Sequence, residues 1–203
     1  MGITSRKERE KEEMRSLILD AALRIFREKG YDGVSIRNIA EAIEYSPATI
    51  YLYYKDKSEI FFALQYEAAA LKRDHLLPAA LVENPWDRLI EFGRRYIDFG
   101  MKHPDLYDLL FITRIPMESI ENQDCWKLGI ATHSFFVETV QACVDARYFK
   151  STDTEVIAYT LWCHAHGLVS LFIRERMRMY PVEKRPELAK KSFDMIVKMA
   201  ESL

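Results

Sequence analysis

The chain has 203 residues, enough for one large domain or for a small domain beside a larger one. Hydrophobic residues make up 49%, so core material is ample. With 29 Lys/Arg against 31 Asp/Glu the net charge is -2, and no bulk positive charge advertises a nucleic-acid partner.

The charge is unevenly spread: residues 1–57 carry 11 Lys/Arg and 10 Asp/Glu, the remainder 18 and 21. Cys125, Cys143 and Cys163 are odd in number and form no CxxC, which argues against a disulfide framework or a zinc site. They read as buried free thiols in a reducing cytoplasm. The charged N-terminus leads into no apolar stretch of the signal-peptide kind. No run of about 18 apolar residues stands out, so no membrane span is expected.

Glycine and proline number only 7 each, and apolar spacing is helical nearly throughout. The expectation is an all-α chain of about nine helices. Residues 4–13 are almost wholly charged and extend the first helix. From Met14 onward Leu17, Ile18, Ala21, Ala22, Ile25 and Phe26 form one face, and Lys29 with Gly30 marks the C-terminus. Ser35 caps a second helix with Ile36, Ile39, Ala40 and Ile43 inward. Ser46, with Pro47 at the first helical position, starts a third that runs to about Tyr54. Asp56 caps a long fourth helix, Glu59 completes a capping box, and Pro78 stops or kinks the helix. Further helices are expected over 85–102, 106–112, 126–146, 153–179 and 186–202.

The stretch Ser35–Lys57 carries the chemistry. Two short helices joined by a tight turn bury little by themselves, and such a pair can present its second helix to the DNA major groove. Ile50 and Tyr54, four apart, pack inward. Thr49, Tyr51 and Tyr53 then project outward or sideways, where hydroxyls serve as phosphate donors. Lys57 stands at a helix N-terminus, where its charge and the free N–H groups together favour phosphate.

The spacing Ile39-Ala40, Ser46, Thr49-Ile50-Tyr51, Tyr54 and Lys57 resembles the N-terminal domain of the TetR family of transcriptional repressors, over residues 14–64. The resemblance implies phosphate contacts from Ser35, Thr49, Tyr51 and Lys57, and places Arg37, Pro47, Ala48 and Tyr53 nearest the bases. Ser46 belongs to the same interface as the cap of the recognition helix. One departure stands out. The family has Ala-Gly-Val between the two helices where this chain has Ile43-Glu44-Tyr45, and Glu44 takes a left-handed backbone only at a cost of about 1 kcal/mol. The reading positions are also poor in hydrogen-bonding side chains, so specificity is expected to lean on Arg37, Tyr53, DNA shape and the basic arm of Arg6, Lys7 and Arg9.

In the second half, Trp162-x-x-x-His166-Gly167 resembles the C-terminal domain of a TetR subfamily known by the letters WHG. His103-Pro104-Asp105-Leu106-Tyr107 is similar to that subfamily's short sixth helix. Gly167 inside a helix suggests close approach of a helix or a ligand. His164 and His166 diverge around the helix and lack a third ligand at suitable spacing, so no metal or other cofactor is expected. Cys163 reads as an inert thiol on a buried helix, and no catalytic residue is assigned.

The family binds a small molecule among helices four to eight. The resemblance therefore makes ligand-binding candidates of Phe62, Tyr66, Tyr96, Phe99, Tyr107, Phe111, Trp126, Phe136 and Trp162, with His133 and His166 as polar points. Each one alone reads more readily as plain core than as a ligand contact, and as a set they suit a largely apolar effector. The last two helices resemble the family's dimer interface, with Leu168, Leu171, Phe172, Leu188, Phe193, Ile196, Val197 and Ala200 as contacts.

The resulting expectation is a DNA-binding head, 1–57, on a ligand-binding and dimerisation body, 58–203. Its partners are a double-stranded operator, a small-molecule effector and a second copy of the chain. The resemblance implies a swing of helix four on effector binding. Two rivals stay open: a small-molecule-binding protein or enzyme that keeps the head as scaffold, and a protein-interaction adaptor.

Overall fold

The computed structural model describes residues 3–115, 123–150 and 152–200. Among them lie nine α-helices and no strand, as an all-α chain requires. They are α1 (Ile3–Lys29), α2 (Ile36–Ala42), α3 (Pro47–Tyr51), α4 (Lys57–Leu76), α5 (Pro85–Lys102), α6 (Pro104–Phe111), α7 (Asp124–Asp145), α8 (Thr154–Ile173) and α9 (Arg185–Ala200). Contact density groups them into two compact units, 1–67 with 113–126, and 68–112 with 127–203.

In the first unit α1 stops where Gly30 takes φ +69° and its N–H donates to the Phe26 carbonyl at 2.8 Å. The inward stripe of α1 is Ile18, Leu19, Ala21, Ala22, Ile25 and Phe26. Leu17, expected on that stripe, is exposed instead. At about 100° per residue it lies roughly 120° from the middle of the stripe, beyond the edge that Leu19 still reaches. Val34, Ile39, Ala40, Ile50, Tyr54, Ile60 and Phe61 complete this core, with Phe61 edge-on to Phe26 and Tyr31.

Two helix ends differ from expectation. The third helix closes at Tyr51, not Tyr54, because the Tyr53 and Tyr54 N–H groups both turn back to the Ile50 carbonyl. In the second unit α8 ends at Ile173, not Met179. Glu175 there takes φ 51°, its N–H donates to the Phe172 carbonyl, and the Arg176 N–H donates to the Leu171 carbonyl, a Schellman closure.

The second unit is built on α5, which packs against α6 and α8, while α8 also packs against α9. Asn84 caps α5 by accepting from the N–H groups of Trp86 and Asp87, and Asp153 caps α8 by accepting from that of Val156. Leu89, Phe92, Tyr96 and Phe99 of α5 meet Tyr107, Phe136, Val140, Ile157 and Val169 in one core. Gly100 and Gly93 are close approaches, since a methyl at Gly100 collides with Val169 and Tyr107 and one at Gly93 with Phe193. The expected approach at Gly167 is not made within this chain, where a Cβ would enter open space. Cys125 and Cys143 are buried as expected, whereas Cys163 is exposed.

By length and composition α8 is apolar enough to cross a membrane, a property that reading residue by residue does not bring out. Ile157, Ala158 and Val169 join the core, and Val156, Tyr159 and Leu171 stand out to solvent.

Candidate nucleic-acid interface and effector cavity

The head builds its presenting surface from caps. The Ser35 hydroxyl accepts from the Asn38 N–H at 3.2 Å, and the Asn38 side chain accepts from the Ser35 N–H at 2.8 Å. This reciprocal box fixes the start of α2. The Ser46 hydroxyl accepts from the Thr49 N–H at 3.2 Å and lies 3.0 Å from the Thr49 hydroxyl. Between the two helices Glu44 takes φ 61°. Its N–H donates to the Glu41 carbonyl and that of Tyr45 to the Ala40 carbonyl, a second Schellman closure. The glutamate thus adopts the backbone that glycine prefers.

With Ile50 and Tyr54 buried beneath it, α3 leaves Pro47, Ala48 and Tyr51 exposed, while Thr49 and Tyr53 are half-buried. Arg37 is exposed on α2, with its Nε 2.9 Å from the Glu41 carboxylate. Arg6 is likewise held by Glu10 at 2.7 Å, on a helix that already includes Lys7 and Arg9. Lys57 is half-buried, and its Nζ donates to the Tyr31 carbonyl at 2.5 Å. Burial lowers its pKa, and Asp32 partly restores it. Asp56 caps α4 through the Glu59 N–H, but the Glu59 carboxylate accepts from the Lys55 N–H, one residue before the cap.

Leu52, 78% exposed, was not among the predicted interface residues. It follows the last residue of α3, where the turn tips it outward. Only the early end of that helix would have revealed this.

In the second unit an apolar cavity of about 60 Å³ is lined by Trp86, Phe92, Tyr96, Phe136, Trp162 and Phe193 among others. Of the predicted ligand residues, Tyr96, Phe136 and Trp162 line it. Phe99 and Tyr107 are sealed in the core. Phe111 packs 4.8 Å from Tyr107 and 6.0 Å from Tyr96, and His133 is exposed with its ring 5.8 Å from that of Trp162. Phe62, Tyr66 and Trp126 belong to the first unit, where Phe62 is half-buried and the other two are exposed. Trp86 and Phe92 were missed because their turn-by-turn repeat along α5 looks like any core stripe. Phe193, Ile196 and Val197, assigned to a dimer contact, also line the cavity, and Ala200 is buried beside them.

A polar run crosses this unit. The Trp162 Nε1–H donates to the Tyr96 hydroxyl at 3.0 Å, which lies 2.9 Å from the Tyr107 hydroxyl. That hydroxyl is 2.7 Å from Nδ1 of His166, whose Nε2 is 3.2 Å from the Ser170 hydroxyl. Tryptophan can only donate, so the arrangement that satisfies every donor runs one way and makes His166 the neutral Nε2–H tautomer. Burial acts in the same sense, lowering the His166 pKa and pushing that of Tyr96 up to about 12. No group of three or more His, Cys, Asp or Glu side chains suited to a metal occurs among the described residues.

Residues 18–64 match the model for bacterial regulatory proteins of the tetR family, and residues 89–199 match the tetracyclin repressor-like C-terminal domain. Over 110 residues the chain is 31% identical to the HTH-type transcriptional repressor AcnR of Corynebacterium diphtheriae, covering 54% of this chain and 51% of AcnR. Over 98 residues it is 30% identical to IcaR, the negative transcriptional regulator of a biofilm operon in Staphylococcus epidermidis, covering 48% and 44%. The chain thus spans about half the length of these curated relatives. The TetR family regulator PfmR of Thermus thermophilus shares the fold, with a TM-score of 0.72 over 89% of this chain and 97% of that one, at 20% identity. With the C-terminal model spanning more than half of its residues and the N-terminal model lying over the capped helix pair, the chain belongs to the TetR family of bacterial regulatory proteins.

Proposed function

We propose that the protein is a cytoplasmic, homodimeric transcriptional repressor that reads a pseudo-palindromic operator and leaves it when a small, largely apolar molecule enters the second unit. The observation that carries the reading is the presentation of α3: Ser46 caps it, Ile50 and Tyr54 anchor it, and Pro47, Ala48 and Tyr51 are left free to meet a groove. Phosphate contacts come from Ser35, Thr49, Tyr51 and Lys57, and base contacts from Arg37, Pro47, Ala48 and Tyr53. Apolar side chains left exposed on α8 and α9, among them Tyr159, Leu171, Met195 and Met199, supply a surface for the second copy. Two heads one helical turn apart, about 34 Å, then match the two half-sites of an operator.

Selection of bound duplexes from a random pool, followed by salt titration of the winner, tests this. The expected result is an inverted repeat whose affinity falls steeply with salt. Recovery of no enriched sequence, or a flat salt response, refutes it.

A further inference from the structure

We propose that the second unit contains an anion anchor, the ammonium of Lys72, which takes the carboxylate of an amphipathic organic acid whose hydrocarbon or aromatic part packs along Phe111 towards the cavity. The proposal rests on the effector reading above and narrows it from apolar molecules in general to monocarboxylic acids.

Lys72, on α4, is only 7% exposed. Its Nζ lies 4.9 Å from the centre of the Phe111 ring, and no carboxylate among the described residues pairs with it. An ammonium withdrawn from water without a counter-ion is among the costliest arrangements a core can hold, and an aromatic face compensates only part of that cost. A methionine would fill the same space without the penalty. Burial alone lowers the Lys72 pKa, to about 8, which still leaves the group mostly charged at neutral pH. The position therefore offers a charged, poorly solvated donor that an incoming anion would satisfy.

The surroundings define the rest of the ligand. Lys72 and Phe111 lie outside the cavity lining, and the Phe111 ring centre is 6.0 Å from that of Tyr96 and 6.5 Å from that of Trp162, two rings that do wall it. The 4.9 Å step from Lys72 to Phe111 and the 6.0 Å step from Phe111 to Tyr96 lie within the reach of a chain of several carbons or one aryl group. The cavity lining is almost wholly apolar, so it suits the tail of such an acid and not a second charge.

The test uses the full chain and matched pairs: straight-chain carboxylates from hexanoate to dodecanoate and phenylacetate, each beside the corresponding alcohol. Binding is read by calorimetry and thermal shift on the native protein and on Lys72→Met. The expected result is a carboxylate preference of about tenfold or more in the native protein. In Lys72→Met that preference is lost while affinity for the alcohols stays within about twofold of native. Equal affinity for acid and alcohol in the native protein, or an undiminished preference in Lys72→Met, overturns the anchor and leaves the apolar effector reading standing. Loss of alcohol binding together with acid binding in the variant assigns Lys72 a structural role and also overturns the anchor. No binding of any acid or alcohol overturns both readings.

Discussion

The ammonium of Lys57 lies 2.5 Å from the carbonyl oxygen of Tyr31 and 3.9 Å from the centre of that residue's ring. The first residue of α4 is thereby tied to the turn that follows α1. Lys57→Ala is expected to weaken binding to all DNA sequences alike and to reduce the slope of log affinity against log salt by about 1. Lost ring contact adds about 0.5–1 kcal/mol of destabilisation. Salt titration beside chemical denaturation separates the two effects. An unchanged slope with lowered stability makes Lys57 a structural tie only.

Glu44 holds a left-handed backbone at the closure of α2. Glu44→Gly removes a steric cost of about 1 kcal/mol, partly offset by the freer unfolded chain. A small rise in melting temperature is expected. Because the substitution also removes a negative charge beside the presented helix, DNA affinity should rise rather than fall. A drop in stability would mean that the Glu44 side chain contributes more than its backbone costs.

The Tyr107 hydroxyl stands between the Tyr96 hydroxyl and Nδ1 of His166. Tyr107→Phe leaves a buried donor and a buried acceptor without partners, and a loss of about 1–3 kcal/mol is expected in urea unfolding. His166 adds a pH dependence. Its folded pKa lies below 6.5, so the unfolded chain takes up the proton first. The His166 contribution to stability is therefore steady above pH 6.5 and falls as the pH drops from there towards the folded value. His166→Leu should flatten that acid limb. An identical limb in the variant would assign it to other groups.

Lys72 titrates in the opposite region. Its folded pKa of about 8 lies below the ordinary 10.5, so the unfolded chain holds the extra proton between those values. Native stability should then rise with pH through that window relative to Lys72→Met. At pH 7 the variant should be more stable by up to about 3 kcal/mol, the equivalent of the shift. Denaturation of both proteins at about pH 7 and about pH 10 measures the difference.

Much of the head was legible because its signals are local. Ser35, Ser46, Pro47 and Asp56 mark helix starts by chemistry that needs only neighbouring residues, and Gly30 marks an end in the same way. The left-handed turn at Glu44 was legible only through the family resemblance, which has glycine at that place. The end of α8 was not legible, because Arg174 to Met179 keep good helix propensity and the Schellman closure at Glu175 overrides it. The cavity was only partly legible. Periodicity puts Tyr96, Tyr107 and Phe99 on inward faces alike, and three-dimensional packing alone decides that Tyr96 lines a void while the other two are sealed. Lys72 escaped notice for the converse reason: a lone lysine on a long helix reads as solvated until its burial is seen.

The one-way run from Trp162 to Ser170 determines how the cavity treats visitors. Tyr96 and Trp162 bring an O–H and an N–H to its wall, yet both protons are already committed, to Tyr107 and to Tyr96. A guest oxygen arriving at that wall finds rings and spent donors. Two of the most polar-looking residues of the lining thus behave towards an acceptor as hydrocarbon, and an oxygen-bearing molecule would orient its oxygen away from them.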